Sequence, residues 1–158
     1  KLIKLKGDVK MTTAKLYYSF NNRSYQQIKK ELIKTNTKFQ VQSLNESPIE
    51  WEQLLEILMY TENGIEDLLS VKSIDYKELT NQGVDFDEMT LTEFHRLVVK
   101  HPRLMRSPIL VVKNTTLIGY NAEEMSILES RADRMKRHME ILELVKMNET
   151  FEYDIITA

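Results

Sequence analysis

One short stretch constrains the fold more than any other. Ile109–Lys113 is a continuous apolar run closed by a lysine and opened by Ser107-Pro108. Ile109, Leu110, Val111 and Val112 leave no polar face, and three of the four are β-branched. A run this short fits a strand buried on both faces better than a helix, and such a strand needs a sheet with helices packed above and below. Proline at the first position of a buried strand sacrifices no essential ladder donor. Asn114-Thr115 reads as a tight turn and Thr116–Tyr120 as the partner strand, which makes a hairpin.

The rest of the chain supplies the layers. Ala14–Ser19 reads as a strand with Leu16 and Tyr18 on one face and Lys15 and Tyr17 on the other. Asn22 or Ser24 can cap a helix over Ser24–Lys34, whose Tyr25, Ile28 and Leu32 recur at helical spacing. Lys38–Leu44 alternates and reads as a second strand, so the first third is β-α-β with parallel strands and a right-handed crossover. The middle is helical. Ser47-Pro48 followed by Ile-Glu-Trp-Glu predicts a helix entry, with Trp51, Leu54, Leu55, Leu58 and Met59 as the apolar face. Glu62-Asn63-Gly64 is expected to end that helix, since asparagine and glycine tolerate the left-handed conformation. Ile65–Leu69, Asp75–Asn81 and Thr90–Lys100 follow as short helices, the last with a Thr90/Glu93 capping box. Ala122–Met147 predicts one long helix.

The order β-α-β, helices, β-β-α implies an α/β, thioredoxin-like domain. Its four-stranded mixed sheet spans residues 14–124 and carries a helical insert over 48–100. A C-terminal amphipathic helix over 125–147 and an acidic, aromatic tail over 148–158, expected to fray, complete the chain. Residues 1–13 are expected to be a cloning remnant or a flexible extension. In the last helix, Met125, Leu128, Ala132, Met135, Met139 and Leu142 alternate at spacings of three and four, a heptad-like seam expected to pack on the domain or dock another chain. Arg131, Arg134, Lys136 and Arg137 lie away from it and are candidates for a weak DNA contact, although Glu129, Asp133 and Glu140 interrupt them.

Composition removes whole classes of chemistry. None of the 158 residues is cysteine, which excludes disulfides, thiolate nucleophiles and cysteine-ligated metals. His95, His101 and His138 share neither a helical face nor a ligand spacing, so no metal site and no cofactor are expected. The net charge of −2 argues against a surface that grips nucleic acid everywhere. No apolar run reaches the ~18 residues needed to span a bilayer, so no membrane association is expected and a cytoplasmic protein is the natural reading.

Four co-linear fragments carry a family resemblance. They are Leu16-Tyr17-Tyr18-Ser19; Thr61-Glu62-Asn63-Gly64; Ser70-Val71-Lys72-Ser73; and His101-Pro102-Arg103-Leu104-Met105-Arg106-Ser107-Pro108-Ile109-Leu110-Val111 with Ile118-Gly119-Tyr120-Asn121, Glu123 and Glu124. Together they resemble the arsenate reductase/Spx family from about Ala14 to Glu124. The resemblance implies that Asn22 and Tyr25 occupy redox-cysteine positions, that Ser107 stands where an oxyanion-binding arginine is common, and that Pro108 follows a cis peptide bond. It also implies a partner surface at Gly64 and Asn63, with Lys72 and Arg106 contributing, that in Spx holds the C-terminal domain of the RNA polymerase α subunit. Met59 and Ile74 fall where Spx has basic residues. An amide and a phenol cannot replace a thiolate, so no catalytic residue is expected. The implied function is a redox-insensitive, non-enzymatic Spx-like regulator of transcription. The alternatives are an interaction or decoy module acting through the C-terminal helix, and a degenerate arsenate reductase-like protein.

Overall fold

The computed structural model describes residues 13–156. The extension expected over residues 1–13 therefore lies, but for Thr13, outside the described residues. In chain order the elements are β1 (Ala14–Tyr18), α1 (Arg23–Lys34), β2 (Phe39–Ser43), α2 (Trp51–Met59), α3 (Ile65–Leu68), α4 (Ile74–Asn81) and α5 (Leu91–Lys100), then β3 (Ile109–Val112), β4 (Thr115–Ile118) and α6 (Arg131–Ile156). Two 3-10 turns, Pro102–Leu104 and Glu124–Leu128, precede β3 and α6.

The sheet order is β2-β1-β3-β4. β1 runs parallel to β2 and antiparallel to β3, and β3 and β4 form the expected hairpin. The two central strands alternate between two cores. Tyr17, Ile109 and Val111 point to one built with the helical insert, where Leu54, Ile57, Leu68, Phe94, Val98, Leu104 and Met105 are buried. Leu16, Leu110 and Val112 point to the other, with Ile28 and Leu32 of α1 and with Met125 and Leu128. All four residues Ile109–Val112 are buried, as their unbroken apolar pattern requires.

Several boundaries differ from the sequence expectation. α2 does not begin at Ser47-Pro48; Glu50 is its N-cap, and the Glu50 N–H donates to Gln53 Oε1 at 3.0 Å. Ser47 instead closes the turn after β2, its N–H reaching Ser43 O at 2.8 Å. Met59 is not part of the buried face but 70% exposed. Gly64 does not terminate α2, which ends at Met59 with Tyr60 as its C-cap, but stands at the N-cap of α3 with φ 63° and ψ −129°. The hairpin turn is Lys113-Asn114, one residue earlier than expected; both have positive φ, 48° and 58°, as a two-residue type I′ turn demands.

The C-terminal segment is broken in two. Met125 and Leu128 are buried in the 3-10 turn, and α6 starts only after Ser130, whose Oγ accepts the Asp133 N–H at 3.1 Å. The expected seam is thus divided. Its first two members pack on the domain, whereas Met135, Met139 and Leu142 are exposed. The tail expected to fray is helical through Ile156.

Candidate functional site

Asn22 and Tyr25, which the resemblance places at redox-cysteine positions, do structural work. Asn22 caps α1, its Oδ1 accepting the Tyr25 N–H at 2.9 Å. That bond occupies one of the unpaired helix N–H groups that would favour an anion there. Tyr25 is buried and stacks on Tyr18 at 4.2 Å, with Lys29 Nζ 5.4 Å from its ring centroid. Burial, and next the neighbouring Tyr18, push its phenol above the ordinary value.

Ser107 closes the same corner with neutral bonds. Its Oγ accepts the Ser19 N–H at 2.9 Å, Ser19 Oγ donates to Pro102 O at 3.3 Å, and Asn45 Nδ2 donates to Ser19 O at 2.7 Å. The Ser107–Pro108 peptide bond is cis. Ser19 is buried, so these bonds satisfy groups that water cannot reach. Arg103, before this corner, stacks on Phe20 at 5.3 Å. The network around Ser19, Asn45 and Ser107 left no periodic signal in the sequence.

The loop Thr61–Gly64 is held by a residue that the sequence pattern did not single out, Asp67. Asp67 Oδ2 accepts the N–H groups of Asn63 at 2.9 Å and Glu62 at 3.1 Å, and Oδ1 accepts Asn63 Nδ2 at 3.0 Å. The Asn63 bonds, chiefly, with help from Glu62 and the charge of Arg106, hold its carboxyl below the ordinary carboxylate value. An aspartate three residues after a glycine, in the first turn of a short helix, was the available clue. Gly64 is half-buried, yet a Cβ built there would meet nothing within 4 Å. Its backbone region is that of the first central residue of a type II′ turn, which glycine alone adopts without strain. The glycine is therefore required by conformation, and the space outside it is open.

This loop and Arg106 come together. The Arg106 N–H donates to Leu68 O at 2.7 Å, the Ser70 N–H donates to Leu104 O at 2.9 Å, and Leu69 and Met105 form an antiparallel bridge. Between them and β4 lies a cleft of about 620 Å³, lined by Tyr60–Asn63, Asp67, Arg106, Thr115–Ile118 and Glu124. Lys72 is exposed on the turn between α3 and α4, closed by the Ser73 N–H to Ser70 O at 2.9 Å. Met59 and Ile74, which the resemblance sets against basic residues of Spx, are each 70% exposed and present apolar surface.

The candidate DNA stripe is not one face. A separation of two residues places Lys136 roughly 200° around the helix from Arg134, and Arg137 pairs with Glu129 at 2.6 Å. His95 is held by Ile49 O at 2.9 Å and an edge contact to Trp51. Among the described residues no cluster of His, Asp and Glu could hold a metal ion, and no helix is long and apolar enough to cross a membrane.

A four-stranded mixed sheet in the order β2-β1-β3-β4, with helices on both faces, defines a thioredoxin-like α/β protein. The ArsC family model matches residues 12–128. The global transcriptional regulator Spx of Streptococcus pyogenes serotype M3 is 34% identical over 100 residues, covering 63% of this chain and 72% of that protein. Spx of Streptococcus mutans serotype c is 38% identical over 87 residues, 55% of this chain and 61% of that one. The chain belongs to the ArsC/Spx family. Among solved structures, an ArsC family related protein from Bacteroides fragilis matches with a TM-score of 0.62 at 20% identity, covering 74% of this chain and 98% of that one. Arsenate reductase from Vibrio cholerae matches with a TM-score of 0.58 at 18% identity, covering 74% and 95%. At such identities these structures establish the fold alone.

Proposed function

We propose that this chain is a non-enzymatic, redox-insensitive regulator of transcription of the Spx type, and that it binds the C-terminal domain of the RNA polymerase α subunit through the surface around Gly64. The observation that carries the reading is the Thr61–Gly64 loop. Asp67 fixes it from inside, and the glycine's outer side is open, so a partner backbone can approach closely. The similarity to two streptococcal Spx proteins supports the choice of partner. In this reading Lys72 and Arg106 supply cations to the contact, and the exposed Met59 and Ile74 supply apolar area. The proposed contact therefore depends less on salt than a wholly basic one would.

Arsenate reduction is disfavoured by chemistry. Asn22 and Tyr25 offer no thiolate, and the Ser107 hydroxyl is engaged with the Ser19 amide.

The test is calorimetric titration of the full chain with the isolated α C-terminal domain. Wild type binds; Gly64→Arg weakens binding by about 30-fold or more, the ~2 kcal/mol typical of an obstructed interface centre. Lys72→Glu also weakens it, and that deficit shrinks at high salt. Absence of measurable wild-type affinity overturns the polymerase reading.

A further inference from the structure

Every described side chain of α6, from Asp133 to Glu149, is exposed. Met135, Met139, Ile141, Leu142 and Val145 among them are between 41% and 60% exposed. Helices in water draw most of their stability from packing an apolar face, so a long helix in this state lacks its main support.

The charges of α6 compound the problem. Residues 131–139 carry Arg131, Arg134, Lys136 and Arg137 against Asp133 alone. Residues 140–156 carry Glu140, Glu143, Glu149, Glu152 and Asp154 against Lys146 alone. A helix dipole favours acids at its start and bases at its end, the reverse of this arrangement. One kind of neighbour corrects both defects: a second α6 lying antiparallel. Its acidic half then runs beside this basic half, the two dipoles oppose, and the apolar middles meet. A parallel copy would set like charges side by side.

The residue spacing fits that neighbour. Met135, His138, Leu142, Val145, Glu149 and Glu152 recur at alternating intervals of three and four, a heptad seam along one side of the helix. Two copies overlapped about the helix midpoint, Glu143–Leu144, bring Leu142 of each against Val145 of the other. In this register His138 pairs with Glu149, and positions 135 and 152 come level along the two helices. The apolar contact sits at the centre, and the basic stretch 131–137 of each copy runs alongside the acidic stretch 149–154 of the other.

We propose that α6 is a self-association surface, through which two copies of this chain pair by antiparallel α6 helices centred on Leu142 and Val145. The inference is independent of the polymerase reading, because α6 contributes nothing to the Gly64 surface.

A chain without cysteine makes the test direct. Met135→Cys and Glu152→Cys variants of the full chain are oxidised separately and mixed. The antiparallel pair predicts disulfide-linked dimer from the mixture and little from either alone, since two copies of residue 135 would lie about 25 Å apart along the helices. Efficient linking of Met135→Cys to itself indicates a parallel pair and overturns the proposal. Sedimentation equilibrium of wild type should show dimer that dissociates as salt is raised, and a monomer at every concentration overturns the proposal. The double variant Leu142→Glu with Val145→Glu should raise the dissociation constant at least ~10-fold, because it buries unpaired carboxylates. Its domain melting temperature should match that of wild type at low, monomeric concentration. A lower value there means that α6 packs on its own domain, and likewise overturns the proposal.

Discussion

Gly64 separates two reasons for a glycine, backbone conformation and lack of bulk, and a substitution series tells them apart. With φ 63° and ψ −129°, the residue lies outside the left-handed helical region, whose ψ is near +47°. Any L-residue here pays backbone strain of roughly 1–3 kcal/mol. No steric term adds to it, because a Cβ meets nothing within 4 Å. Gly64→Ala, Gly64→Asn and Gly64→Arg should therefore lose similar stability. For a chain of this length each kcal/mol lowers the melting temperature by about 2–4 °C. Asparagine has no advantage over alanine, since its tolerance is for the left-handed helical region and not for this one. The assay is thermal unfolding followed by circular dichroism, alongside affinity for the α C-terminal domain. Stability should fall in common for all three, while affinity falls progressively from Ala to Asn to Arg. Two results would refute the reasoning: a Gly64→Ala protein as stable as wild type, or an asparagine variant clearly more stable than the alanine one.

The remaining predictions concern the interior and the loop anchor. Tyr17 is 2% exposed and its hydroxyl has no hydrogen-bond partner among the described residues; burial, then Glu56 and Glu50, push its pKa up to about 12. Tyr17→Phe should thus be neutral or stabilising by up to ~1 kcal/mol in denaturant unfolding, and a clear loss would reveal a partner for that hydroxyl. Asp67 has a folded-state pKa below its unfolded value, so its stabilisation is present above the unfolded pKa and is lost as pH falls through the folded one. Asp67→Asn should flatten the acid limb of the stability curve and speed hydrogen exchange at the Glu62 and Asn63 amides at neutral pH; unchanged exchange would show that the loop stands without it.

How much of this was legible depends on whether a feature was periodic. The buried run Ile109–Val112 declared itself, and with it the sheet and its two helical layers, because four apolar residues in a row cannot sit at a surface strand. Asn22 as a cap and the Thr90/Glu93 box are short-range chemistry that any local reading finds. The hairpin turn slipped by one residue because lysine is no signal for positive φ, yet Lys113 adopts it. The long C-terminal helix was over-joined for a related reason. The three-and-four spacing continues from Leu128 to Met135 straight through the break, and only Ser130, capping Asp133, marks it. Asp67 escaped notice because its role is irregular, with three hydrogen bonds to one loop and no repeat.

One segment links the corner of Ser19 and Ser107 to the proposed partner surface, and that link bears on how the protein is controlled. Residues 102–107 bond backward to Ser19 through Pro102 O and Ser107 Oγ. The same segment bonds outward to the insert through Leu104 O, the Arg106 N–H and the Leu69–Met105 bridge. A change at Ser107 would act on this segment directly, and one at Asn22 or Tyr25 would reach it only along the chain to Ser19. In this chain those positions hold an amide, a phenol held above its ordinary pKa and a neutral hydroxyl. None changes charge near neutral pH, and none can form a disulfide. On the proposed reading, the route persists without an input, and the surface stays in one state. Control then passes to the amount of protein and, through α6, to its concentration-dependent pairing.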